Sequence, residues 1–156
     1  MTILNVHIGE IKIARKGEVL KAILGSCVGI GFIWRSQNVC GLAHCLLPEN
    51  PEKSFSISGR YVDQAVASLI AMMKIKEIDK AHIEVIFAGG GNMTQPHAED
   101  NSALVGGLNL KATERELKKH DLRVVFSDYG GSEGRKIVIN SSSCTYEIEK
   151  IPRMID

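Results

Sequence analysis

Residues 24–50 read LGSCVGIGFIWRSQNVCGLAHCLLPEN, two apolar runs, 28–34 and 39–46, hinged on the polar turn of Arg35, Ser36, Gln37 and Asn38. Apolar runs of that length bounded by turn signals are buried strands, and a short polar connection makes them antiparallel neighbours. Outward from this pair, residues 4–8, 11–14 and 19–24 supply three more short segments of strand character, punctuated by Gly9, Gly17 and Gly25. With so little chain between them, the five segments predict a meander rather than alternation of strands with helices.

Downstream the period changes. PENPEKSFSISG, residues 48–59, is an exposed loop by its prolines, serines and charges. It leads into a helix over 60–75, where Val62, Ala65, Val66, Leu69, Ile70, Met72 and Met73 recur at helical spacing and the two methionines read as core packing. Residues 83–88 predict a buried strand ending in Gly89, Gly90 and Gly91. A second helix is expected after Asn109, as N-cap, to about His120, with Lys111, Arg115, Lys118 and Lys119 facing solvent. LRVVFSDYGGSEGRKIVIN, residues 122–140, predicts two strands joined as a hairpin by a glycine-rich connection, and residues 145–151 a last strand. The sum is one α+β domain over residues 1–156, with its helices layered on one side of the sheets.

Composition narrows the classes of function. A chain of 156 residues with 44% hydrophobic and 24% charged residues and a formal charge of +1 can bury roughly two thirds of its unfolded surface. It carries no single-sign field to draw it to nucleic acid or anionic lipid. No run approaches the roughly 18 apolar residues of a spanning helix, and the N-terminal stretch has charges within it. A cytoplasmic location without membrane insertion is therefore expected. In that compartment Cys27, Cys40, Cys45 and Cys144 stay reduced, so catalysis, metal binding or inert burial outrank disulfides.

Cys27 closes the turn Gly25-Ser26-Cys27, and His44 lies near the end of the following strand. A thiol is only a few per cent thiolate at pH 7, so a nucleophilic cysteine needs an imidazolium or backbone donors to hold it ionised. The turn can aim successive N–H groups into one concavity, and strand pairing brings His44 to the same edge, where it would act as base and then as acid. Two other readings stay open. Free cysteine is among the most buried residue types, and a histidine on an apolar strand is commonly a hydrogen-bonded core residue. Cys27, Cys40, His44 and Cys45 could also make a Cys₃His zinc set, although His44 and Cys45, being adjacent, would point to opposite faces of a strand.

The motifs taken together narrow the choice. LGSCVGIGF and CGLAHCLLPE, then SGRYVDQAVASLI, FAGGGNM and VGGLNLKATERELKKHDLRVVFSDYGGSEGRKIVIN, resemble in order the signature of the CheD family of bacterial chemoreceptor glutamine deamidases, over nearly the whole chain. The resemblance implies a cysteine hydrolase with a layered α/β/β sandwich like the catalytic domain of cytotoxic necrotizing factor. It implies a protein-glutamine glutaminase that converts selected glutamines on receptor cytoplasmic domains to glutamate, some members also hydrolysing methylated glutamates. Matched by position, Cys27 is the nucleophile and His44 the general base. The implied partners are the receptor cytoplasmic domains and CheC, a phosphatase of the chemotaxis response regulator, with a location at receptor arrays; no metal or organic cofactor is called for.

One position departs from the family pattern. Where the family has a threonine whose hydroxyl helps orient the histidine, this chain has Lys21. Lysine has no acceptor lone pair, and a cation near the imidazole would depress its pKa. Ser26 or a backbone carbonyl is expected to orient His44 instead, with amides of the Gly25–Cys27 turn on the oxyanion. The alternative is a catalytically weakened adaptor that docks on receptors or CheC.

Further positions carry two readings each. Gly90 and Gly91 either line the substrate groove or make a tight connection, and the stretch lacks the G-K-[ST] ending of a phosphate loop. Gly130, Gly131 and Arg135 either border the substrate, with Arg135 meeting receptor carboxylates, or form a hairpin turn with a surface arginine. Cys40, Cys45 and Cys144 are assigned to packing, and His7, His82, His97 and His120 to solvated positions.

Overall fold

In the computed structural model, which describes residues 1–93 and 104–152, nine strands form two sheets. The strands are β1 Ile3–Asn5, β2 Ile11–Ala14, β3 Val19–Leu24, β4 Val28–Trp34, β5 Val39–Cys45, β6 Ile83–Gly89, β7 Arg123–Tyr129, β8 Gly134–Asn140 and β9 Thr145–Ile151. The helices are α1 Val62–Met72 and α2 Val105–Lys119. Strands β2-β5-β4-β6-β7 make a five-stranded sheet and β1-β3-β8-β9 a four-stranded one. His97, assigned above to a solvated position, lies outside the described residues.

Burial explains the sorting. Strands β4 and β5 are apolar on both faces and occupy the sheet that is covered twice, by helices on one side and by the second sheet on the other. One core cluster, with Val28, Ile30, Phe32, Leu69 and Phe87, fills the helix side. The other, with Leu20, Leu24, Ile33, Leu42, Ile86 and Ile137, fills the space between sheets. Strands β3 and β8 have one buried face and one that is open, as with Ile23, and they form the outer sheet.

The meander expected for the first third is not what forms. Only β4 and β5 are a hairpin, while β1 and β3 pair in parallel in the outer sheet and β2 crosses to pair with β5. The physical reason is that β4 and β5, apolar on both faces, need cover on both sides, whereas β3 has one open face, so the two kinds of strand fall in different sheets. The same logic corrects the second expected hairpin. β7 pairs in parallel with β6, β8 pairs with β3 and β9, and the glycine-rich stretch between β7 and β8 crosses from one sheet to the other.

Helix α2 starts five residues before the position expected, so Asn109 is no cap but a fully buried residue inside the helix. The glycine pair Gly106-Gly107, which looks like a loop in sequence, lets the first turn of α2 lie against the main chain of Gly90 and Gly91. A Cβ at Gly106 would meet the Gly91 carbonyl oxygen at 2.6 Å. The basic residues Lys111, Arg115, Lys118 and Lys119 are exposed as expected. Among the described residues, no helix is long and apolar enough to cross a membrane.

Candidate active site

The β4–β5 hairpin positions the two candidate side chains, Cys27 and His44. Gly29 stands directly opposite His44 in the register, and Cys27, two residues before Gly29, shares its face of the sheet. Cys27 lies one residue before β4 and His44 one residue before the end of β5, so the hairpin brings both to the same end of the sheet. Both face the space between the sheets, and both are almost buried, at 5% and 4% exposure. Cys45 faces the helices and Cys40 lies nearer the other end of β5, so the four residues weighed as a zinc set do not converge.

His44 is fixed on every side. Its main-chain N–H donates to the Glu10 carbonyl at 3.0 Å and its carbonyl accepts from Gly9 at 2.8 Å. The ring Nδ1 lies 2.9 Å from the Val6 carbonyl oxygen. A carbonyl can only accept, so Nδ1 carries the proton and Nε2 keeps its lone pair. Val6 is itself held by its N–H, which donates to the Lys21 carbonyl at 2.8 Å.

Position 21 therefore acts through its main chain. The Lys21 side chain follows the outward parity of β3, opposite Leu20, Ala22 and Leu24 in the inter-sheet core. Its ammonium takes no part in the imidazole's shift. Burial holds the His44 pKa below the ordinary value, the Val6 carbonyl and Glu10 oppose that, and His7 adds to it. Of the two orienting groups expected, the backbone carbonyl is the one present. Ser26 makes no side-chain hydrogen bond to His44 among the described residues.

The cysteine turn is held by its carbonyls. Gly25 accepts from the Gly91 N–H at 3.0 Å, Ser26 from the Asn109 side chain at 3.1 Å and Cys27 from the Gly90 N–H at 2.9 Å. The N–H groups of Ser26 and Cys27 meet no acceptor among the described residues. Gly89 makes the close approach possible. Its φ of +107° is open to glycine alone, and a Cβ there would collide with the Cys27 carbonyl oxygen. Burial raises the Cys27 thiol above its ordinary pKa. At neutral pH the resting pair is thus a thiol and an uncharged imidazole.

Two cavities open at this edge. One of about 430 Å³ is lined by Asn5, His7, Ile8, Lys21 and His44. A more apolar one of about 340 Å³ is lined by Ser26, Leu46, Leu47, Gly91 and Val105. Cys27 lines neither, yet its chain neighbour Ser26 opens on one and His44 on the other. Gly90 and Gly91, offered above as groove or connection, lock the cysteine turn, and Gly91 also borders the second cavity.

Arg135 is not the surface residue of a hairpin. It is 3% exposed, and its guanidinium reaches Asp128 at 3.2 Å and the carbonyls of Gly130 and Glu133 at 3.2 and 2.6 Å. Its charge is spent inside the crossing between β7 and β8. That crossing backs the glycine turn, where the Asn92 N–H donates to the Gly131 carbonyl at 2.7 Å. Val6 contributes only main chain and so carries no signal in its residue type, and Asn109 is hidden by its resemblance to a cap.

Comparison with known proteins extends over the site. The family model CheD, described as CheD chemotactic sensory transduction, matches residues 46–150, downstream of both reactive side chains. Curated relatives cover them. The chain is 40% identical over 167 residues to a probable chemoreceptor glutamine deamidase CheD 2 of Ruegeria sp. strain TM1040, across 97% of this chain and 93% of the relative. It is 42% identical over 149 residues to a probable chemoreceptor glutamine deamidase CheD of Bdellovibrio bacteriovorus, across 96% and 95%. A probable deamidase of the same name from Methanococcus vannielii is 34% identical over 148 residues, across 95% of each.

Proposed function

Because this chain belongs to the CheD family, we propose that it is a chemoreceptor glutamine deamidase whose nucleophile is Cys27 and whose general base is His44. The observation that carries the reading is the His44–Val6 hydrogen bond, which leaves Nε2 unprotonated on the sheet face that Cys27 shares.

Since the thiol rests protonated, attack and proton transfer go together. Sγ of Cys27 bonds to the carboxamide carbon of the substrate glutamine while its proton passes to His44 Nε2. The carbonyl π electrons move to oxygen, and the N–H groups of Ser26 and Cys27, which meet no acceptor among the described residues, donate hydrogen bonds to it. The imidazolium then hands its proton to the amine, the C–N bond breaks and ammonia leaves. Water, deprotonated by His44, adds to the thioester and frees glutamate and the thiol. General acid–base transfer contributes about 10²–10⁴-fold in such reactions, and each oxyanion donor about 10²–10³-fold.

The order of layers, helices over five strands over four, supports reading the fold as that of the cytotoxic necrotizing factor-like cysteine hydrolases. The backbone orientation of His44 favours catalysis over the adaptor reading, because that alternative rested on Lys21 failing in a task which Val6 performs. A place beside receptor arrays in the cytoplasm, and docking of CheC, belong to the same proposal and are supported by the family resemblance alone. The test is conversion of glutamine to glutamate in a receptor cytoplasmic fragment, followed by peptide mass spectrometry. Cys27→Ala is expected to slow it by about 10⁴-fold or more. Conversion at an undiminished rate in that variant would refute the assignment.

A further inference from the structure

Asn109 lies in the second turn of α2 with its side chain wholly buried, and the acyl transfer set out above gives it no task. Its Nδ2 donates to two main-chain carbonyls of different segments, Ser26 at 3.1 Å and Leu46 at 3.0 Å. Ser26 precedes the nucleophile and Leu46 lies two residues beyond the base, so one amide group bridges the segments that carry both. Two carbonyl acceptors around a single atom identify that atom as nitrogen. Its Oδ1, fully buried, meets no donor among the described residues. An unpaired buried oxygen destabilises a fold, and an apolar side chain of the same size would fill this space without it. What the position retains is the NH₂ group.

Peptide geometry shows what that group does. The Ser26–Cys27 peptide is planar and trans, so its C=O and N–H point in opposite directions. Anchoring the Ser26 carbonyl to α2 aims the Cys27 N–H away from the helix, with no acceptor among the described residues to take it. Resting on the deamidase reading, we propose that Asn109 is a positioning residue for this reaction. Through Ser26 it keeps the Cys27 amide directed at the developing oxyanion, and the second bond, to Leu46, fixes the Asn109 side chain in the orientation that this requires.

The two halves of the chemistry can be separated by experiment. Glutamine conversion develops an oxyanion, whereas alkylation of Cys27 by iodoacetamide is a displacement at carbon that develops none. In Asn109→Ala, kcat is expected to fall at least about tenfold, a fraction of what a lost oxyanion donor costs. KM and the rate of Cys27 alkylation should each stay within about twofold of wild type, because they do not draw on that donor. An unchanged kcat would overturn the proposal. So would parallel falls in kcat and alkylation, which would mark Asn109 as a general structural support. Should Asn109→Ala not fold, Asn109→Leu keeps the volume, removes the donors and is judged by the same two rates. A wild-type protein that converts no glutamine would sink the deamidase reading itself, whereas an active wild type beside an equally active variant would sink only the role of Asn109.

Discussion

The inter-sheet core ends in sulfur at both of its ends, and the two ends behave differently. At one, Cys27 lies just before β4 and His44 near the end of β5, beside two cavities and a turn with two amides that meet no acceptor among the described residues. At the other, Cys40 of β5 and Cys144 of the β8–β9 turn are enclosed in the same core cluster. There the loops close over the sulfur. Cys144 Sγ points to the Ser141 carbonyl at 3.7 Å, the Asn38 side chain reaches the carbonyls of Ser141 and Ser142, and Gly17 donates to Ser141 Oγ at 3.1 Å. Burial, with Cys144 alongside, pushes the Cys40 thiol up to about 12. Burial raises both Cys27 and Cys40, so neither thiol is ionised by its surroundings alone at rest. What separates the ends is an imidazole whose Nε2 keeps its lone pair, two amides that meet no acceptor among the described residues, and cavities open to solvent.

The sharpest way to break this contrast is at Gly89. Gly89→Ala forces a methyl group onto the Cys27 carbonyl from a left-handed backbone, and should cost about 2–4 kcal/mol of stability by urea unfolding together with at least about a hundredfold in kcat. A variant of full activity would mean the turn does not depend on that close approach. Cys40→Ala should cost about 1–3 kcal/mol for the lost packing while leaving kcat within about twofold. Loss of activity there would erase the distinction between the two ends.

The smallest effect is on pH. A histidine whose folded pKa is held below its unfolded value of about 6.5 takes up fewer protons than the unfolded chain does near that pH. Stability therefore rises with pH through that range, is fully present above it, and falls as pH drops below about 6.5. His44→Gln should flatten the slope in urea melts between about pH 5 and 7. His120, also held down by burial, carries the remainder. A slope unchanged in the variant would show that His44 is not kept neutral by its surroundings.

The strands were legible because their apolar runs and glycine punctuation are local properties, and β2, β3 and β4 begin and end where the sequence puts them. Which sheet each strand joins was not legible as a meander, since that choice depends on whether a second apolar face finds cover. It was nonetheless latent in the contrast between VLKAIL, with its exposed Ile23, and VGIGFIW, apolar throughout. Around the site, Cys27 and His44 carry chemistry that residue type announces. Val6 carries none in its side chain, and only the folded main chain reveals it. Asn109 was misread because Gly106 and Gly107 look like a break, whereas they mark a helix end pressed against another backbone. Arg135 was taken for a surface residue because charge ordinarily lies outside, and its inward partner Asp128 sits on a different strand.

The carbonyl that orients His44 belongs to the residue just after β1, a three-residue strand at the edge of its sheet with the parallel partner β3 on one side only. Such an edge is the kind of segment that opens locally, at far lower free energy than the whole fold. Each fraying event would release the imidazole from its hydrogen bond while the double core stays intact. Heat would then silence the enzyme through the loosening of one short border, well before the protein unfolds.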